Sequence, residues 1–446
     1  MDINRICVLG NVDASKSTLI GVLKTGLLDN GKGSARSSIL QLKHEKESGN
    51  TTNSNLIKIW VGNKYIQLVD LPGHTRYFSM VLRGIMEYRP SYAIIMISSL
   101  KGISDETDYG KNKGKIIYNM AKMHINVCLF LQLPMIIVIS KVDNCPEDQL
   151  KKTQSDIKEY LKKMRCKFFY SVCDDDTMNK AINAFSVGTG SNLFVPVFNI
   201  SNVTGFGLNL LKDFLFKLSP RDNMIKDKEN TIKFAKEKNI KNIFEIYKSY
   251  YVKGIGLIVF GYNKLGIINK NDKFNIGPIG KRYIEVRVKS IHDDDRNESS
   301  SLKEGDYGCL AIVPINGKDK INKKMINKGK VITDTDIFVM GIKTKCIIAH
   351  HQTTINKRYN AFLHAGNVGE TATVFEASKF PIRGGDHVDI TFKFKTGQFI
   401  YPGSYIIFRE DYVKGYGIIL ENIYQEDFFI INHVSNAPNT LNISNK

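Results

Sequence analysis

The sequence predicts an α/β domain organised around a phosphate-binding loop, followed by two antiparallel β-barrels. Three observations predict this. A loop reading GNVDASKS lies between an apolar run at residues 6–10 and a helically spaced run at residues 19–28. Two further apolar runs, at residues 65–69 and 135–139, each end in a short polar motif. From residue 243 onward, short β-branched runs alternate with Gly, Asn and Asp turns, as antiparallel barrels require. The length of 446 residues agrees, since roughly 100–200 residues per domain implies several cores.

The first loop is Gly10-Asn11-Val12-Asp13-Ala14-Ser15-Lys16-Ser17, which departs at one position from G-x-x-x-x-G-K-S. Between a strand and a helix, the successive backbone N–H groups of such a loop wrap phosphates. The helix N-terminus adds to that field. Lys16 is expected to reach the terminal phosphates and Ser17 to bind magnesium, with contacts running on to Thr18. Ser15 stands where a glycine is expected, and its Cβ takes space that a phosphate should approach. Because the loop there should already be turning into helix, Ser15 is expected to sit without strain, with its hydroxyl close to a phosphate oxygen.

The run at residues 65–69 delivers Asp70-Leu71-Pro72-Gly73-His74, a D-x-x-G motif at the strand end where α/β sheets place ligands. Asp70 is expected to meet magnesium through water and the Gly73 N–H to sense a γ-phosphate, with His74 flanking the attacking water. The run at residues 135–139 delivers Ser140-Lys141-Val142-Asp143, close to N/T-K-x-D. There Asp143 would accept both hydrogens of guanine's N1 and N2 edge, a pair adenine lacks, and the Lys141 stem would cover the base. Ser140 replaces the usual Asn or Thr and leaves a shorter tether to the phosphate loop. Singly, Asp70 reads as a turn aspartate, Lys141 as a surface charge and His74 as a capping histidine. Three such motifs in order, each after an apolar strand, read together as a guanine-nucleotide switch.

The string that begins GNVDASKSTLIGVLKTG and ends HEKESG, with DLPGH, SKVDNCP and SNVTG at matching places, resembles the GTP-binding protein 1 and 2 family of elongation-factor-like GTPases. The resemblance implies a P-loop GTPase domain with elongation factor Tu-like architecture behind it, taking GTP or GDP and Mg2+. It implies that Thr51 holds magnesium from switch one, that Ser201 and Asn202 meet guanine O6, and that His74 orients water. Residues 252–256 with Gly261 and Gly266, and residues 288–292, resemble the family's second domain; residues 349–355 and 408–410 resemble its third. The expected boundaries are a GTP-binding domain at 1–221, a linker at 222–242, barrels at 243–334 and 335–425, and a partly disordered tail at 426–446. The segment before DLPGH is shorter than the family's, and an insertion lies between Gly102 and Met120.

Residues 147–164 space Leu150, Ile157, Tyr160 and Leu161 on one face, an amphipathic helix. Asp174, Asp175 and Asp176 read as a turn or helix cap rather than a metal cluster, because consecutive side chains point apart. His350 and His351 alternate across a strand and have no ligand set beside them. Seven cysteines show no CxxC spacing, so neither zinc nor a disulfide framework is indicated. No apolar run reaches the roughly 18 residues of a membrane span, and the expected compartment is cytoplasmic. Sixty-three Lys and Arg against 44 Asp and Glu give +19, a field suited to RNA such as tRNA or the ribosome. The resemblance implies that the segment 352–359, with Lys357 and Arg358, takes part in that contact. No arginine stands out as a finger for the transferred phosphate, so a ribosome-like activator is expected. Two competing readings are a hydrolysis-weak, GTP-bound adaptor for RNA or protein and the GTPase subunit of a sulfate-activating enzyme.

Overall fold

The computed structural model describes residues 4–40, 54–103, 106–108, 115–117, 119–164, 168–187, 194–219, 225–295, 297–317, 321–326, 329–349, 354–410 and 413–428. The chain divides into two compact units, residues 1–223 and 224–446.

The first unit is a doubly wound sheet. Its strands are β1 (Arg5–Gly10), β2 (Asn55–Val61), β3 (Lys64–Asp70), β4 (Tyr92–Ser98), β7 (Met135–Ser140), β8 (Phe168–Ser171) and β9 (Phe194–Asn199), ordered β2-β3-β1-β4-β7-β9-β8. Only β2 is antiparallel to its neighbour; the remaining pairs are parallel. Every residue of β4 and β7 is buried, as expected of central strands covered by helices on both faces. The insertion after Gly102 carries a two-stranded hairpin, β5 (Glu106–Asp108) and β6 (Lys115–Ile117).

Helices α1 (Lys16–Thr25), α3 (Phe78–Tyr88), α4 (Met120–Phe130), α5 (Glu147–Lys163), α6 (Asp175–Val187) and α7 (Leu208–Lys217) connect these strands, with the single-turn α2 (Ser34–Ser37) following α1. In α5, Ile157 and Leu161 of the predicted face are buried with Thr153 beside them, Leu150 and Tyr160 are half-buried, and the lysines face out. Asp174 caps α6 by accepting the Thr177 N–H at 2.8 Å. The parallel registers set Ser98 beside Ser140 and Ile139 beside Asn199, so the loops leaving β1, β3, β7 and β9 emerge on one edge of the sheet.

The second unit holds two closed six-stranded antiparallel barrels. In the first, strands Lys273–Ile279, Val331–Thr333, Ile243–Val252, Gly256–Leu265, Tyr307–Pro314 and Arg282–Asp293 pair in a ring. The second closes through Val339–Ile348, His387–Gln398, Val368–Ala377, Asn360–Ala365, Tyr405–Arg409 and Val413–Ile423. Each has its own apolar core, around Phe244 and Val286 in one and Phe392 and Phe408 in the other.

The span read from sequence as a linker contains a helix, α8 (Ile225–Glu237). It buries Phe234 and Ala235 in a small cluster with Val331 of the first barrel and Phe399 and Tyr401 of the second. Lys264, almost fully buried, pairs with Asp227 of α8 at 2.7 Å and Glu245 at 3.5 Å, and hydrogen-bonds the Tyr401 hydroxyl. His350, His351 and the segment from residue 429 lie outside the described residues.

Candidate functional site

A cavity of about 400 Å³ opens at the strand-end edge of the first unit, a size suited to a nucleotide-scale ligand. Val12, Asp13, Ser15, Lys16, Ser17 and Thr18 line it from the phosphate loop; Gly73 and His74 line it after β3. Lys141 and Asp143 line it after β7, and Asn202 after β9. Gly10, Asn11, Ala14, Asp70, Ser140 and Ser201 are not among the lining residues; Asn11 and Asp70 hydrogen-bond the lining Lys16 and Ser17.

At the phosphate end, Lys16 is only 7% exposed and its ammonium donates to the Asn11 carbonyl at 2.8 Å. Burial pulls its pKa down to about 8, against the opposing pull of Asp70 and Asp13. A cation so desolvated favours any anion brought to it. The Ser17 hydroxyl donates to Asp70 Oδ2 at 2.8 Å, and Asp70 is fully buried. Gly73 packs tightly enough that a Cβ would overlap the Lys16 ammonium and the backbone of Asn11. Its glycine is thus required by close approach.

Ser15 corrects an expectation. It lies at φ 64, ψ 28, in the left-handed region, and caps nothing with its side chain. The loop turns into helix only at Lys16, so Ser15 holds a conformation that a Cβ disfavours by roughly 1–2 kcal/mol.

At the other end, Ser140 keeps the tether despite its short side chain. Its hydroxyl, fully buried, donates to the Ala14 carbonyl of the phosphate loop at 3.1 Å. Ser99 donates to the Lys141 carbonyl at 2.9 Å, fixing that residue in a left-handed turn at φ 63. Asp143 is exposed at the rim. The Ser201 hydroxyl accepts the N–H groups of Val203 and Thr204, 3.2 and 3.1 Å away, which folds the loop and leaves buried Asn202 on the cavity wall.

His74 is exposed and doubles as a cap. Its Nδ1 accepts the Arg76 N–H at 3.3 Å, which leaves the proton of the neutral ring on Nε2. Thr51 lies outside the described residues.

Several lining residues were not read from the motifs. Asp29 and Lys32 come from the turn after α1, Arg36 from α2 that follows it, and Arg76 and Tyr77 from the turn after His74. The only sequence signal for the first group is the Asn-Gly-Lys-Gly cluster, which marks a turn without saying where it folds back. His124 of α4 is fully buried beside Phe78, with no hydrogen-bond partner for either ring nitrogen among the described residues. Burial, aided by the Lys16 charge, holds its pKa at about 3. Among the described residues no cluster of His, Cys, Asp and Glu has metal-site geometry, and no helix is long and apolar enough to cross a membrane.

Residues 1–221 match the family described as Elongation factor Tu GTP binding domain. The chain is 31% identical over 93% of its length to GTP-binding protein 1 of Xenopus laevis, of which it spans 62%. It is 29% identical to GTP-binding protein 2 of Mus musculus over 94% of its length and 69% of that protein's. Among solved structures, the translation elongation factor SelB of Methanococcus maripaludis, in complex with the GTP analogue GppNHp, superposes with a TM-score of 0.63 at 18% identity. That match covers 96% of this chain and 81% of SelB.

Proposed function

The chain belongs to the elongation-factor-like GTP-binding family that includes GTP-binding proteins 1 and 2, and from that premise we propose that it is a GTP-hydrolysing conformational switch. The observation that carries the reading is the convergence of the phosphate, D-x-x-G and S-K-x-D loops on one 400 Å³ cavity with a desolvated lysine at its base.

Water attacks the γ-phosphorus in line as the bond to the β-phosphate oxygen breaks, giving GDP and phosphate. Lys16 offsets charge on the phosphates, the Gly73 N–H meets the γ-phosphate, and His74 positions the water through Nε2–H. Asp143, Lys141 and Asn202 hold the guanine. Ser17 and Asp70 offer adjacent hard oxygens, a donor pair that fits Mg2+, and Thr51 would complete the set. When bound, the ion shields phosphate charge in the transition state. The +19 charge supports an RNA or ribosomal partner, and a cytoplasmic setting accords with that role.

The test is GTP turnover by the purified protein, with and without ribosomes, in the wild type and in His74→Ala. Trp60, the sole tryptophan, is exposed at the end of β2 away from Asp70, so nucleotide binding is followed by calorimetry. Ribosome-stimulated turnover lost in His74→Ala supports the switch. Tight GTP binding with no turnover in either condition supports the adaptor reading instead.

A further inference from the structure

Two arginines reach the cavity, Arg36 and Arg76, although the sequence singled out neither. Arg76 is exposed and its guanidinium lies 4.6 Å over the Tyr77 ring, a cation–π contact that already employs it. Arg36 is half-buried, and its guanidinium has no hydrogen-bond or ion-pair partner among the described residues.

The surroundings of Arg36 are built to present a bare cation. The carboxylate in its own loop, Asp29, has its oxygens filled by the N–H groups of Gly31, Gly33 and Ala35, at 2.9, 3.2 and 2.9 Å, and by the Ser34 hydroxyl at 3.3 Å. Asp29 therefore shapes the loop instead of neutralising the arginine. Gly33, at φ +87, lies against the guanidinium so closely that a Cβ would overlap its Nε and Cζ. α2 is docked on α1: the Ala35 carbonyl presses on Gly21, and the Lys24 ammonium donates to the Ser38 carbonyl at 3.3 Å. α1 begins with Lys16 and Ser17, so the helix on which α2 docks is the one that leaves the phosphate loop.

We propose that Arg36 contacts the phosphate chain of bound GTP and acts as a built-in arginine, offsetting charge that develops on the transferred phosphoryl group. A planar fork of N–H donors suits two phosphate oxygens at once. Supplied within the chain, such an arginine lets the site turn over without one from a partner. Arg36 forms no covalent bond and moves no proton; the bond broken and the bond made remain those of the hydrolysis proposed above, on which this assignment rests.

Single-turnover GTP hydrolysis by the full chain tests it, comparing wild type with Arg36→Ala and Arg36→Lys and with GDP affinity measured on each. The expected result is a drop on the order of 10³-fold in rate for Arg36→Ala. GDP affinity should stay within about threefold, and Arg36→Lys should recover less than about a tenth of the rate because a point charge cannot span two oxygens. A rate for Arg36→Ala within about threefold of wild type overturns the assignment alone. Equal loss of GDP affinity and rate overturns it too, by making Arg36 a structural residue. A wild-type chain that binds GTP without any turnover removes the hydrolysis reading and this assignment with it.

Discussion

Ser15 holds a left-handed backbone, and among the described residues its side chain makes no capping hydrogen bond to compensate. Ser15→Gly should therefore raise unfolding stability by about 1 kcal/mol and tighten GTP binding severalfold, read from a urea midpoint and a nucleotide titration. An unchanged midpoint would sink the strain argument. Lys16 is held at about 8, below its ordinary 10.5, so between those values the folded chain binds fewer protons than the unfolded one. Stability from this group thus rises with pH across that window, whereas nucleotide affinity falls, because phosphate needs the charged form. Nucleotide binding should take up a proton at pH 9, measurable by calorimetry in buffers of different ionisation enthalpy. For His124, held at about 3 against an ordinary 6.5, the stability is present above 6.5 and is lost as pH falls toward 3. The loss reaches up to about 1.4 kcal/mol per pH unit. His124→Phe should flatten that acid limb in urea melts at pH 7 and pH 5; an unaltered slope would assign it to other groups.

At the scale of elements, what could be read in advance was whatever is contiguous. Asp70 ends an apolar strand, and Lys16 and Asp143 come a few residues after one, so strand pattern and motif together fix both the element and the edge where it ends. Arg36 and His124 were out of reach, because their place at the site depends on how α2 docks on α1 and how α4 packs against Phe78. The conformation of Ser15 was misjudged since sequence spacing locates a helix start only to within a residue or two. α8 was read as a linker because its 13 residues are mostly charged and only a few, Thr231, Phe234 and Ala235 among them, are buried. That helix supplies Asp227 to a nearly buried Lys264. Asp227→Ala should cost about 2 kcal/mol in thermal unfolding, less than the roughly 3–5 of a fully orphaned buried charge, since Glu245 remains 3.5 Å away. A cost near zero would mean that the pair is solvated.

For the whole molecule, +19 is spread over a chain whose nucleotide cavity occupies only one of its two compact units. Binding to a long RNA should weaken by orders of magnitude between about 50 and 200 mM salt, as counterion release demands, whereas GTP affinity should change far less. Equal salt slopes in a filter-binding series would place both ligands on one electrostatic surface. Within the cavity, the hydroxyl of Ser140 joins the loop that ends in Asp143 to the loop that begins at Gly10. Linkage makes such a join reciprocal: any influence of the base on how firmly the phosphates are held equals the influence of the phosphates on how sharply the base is told apart. Through one shared proton, a nucleotide with the wrong base would be rejected at both of its ends.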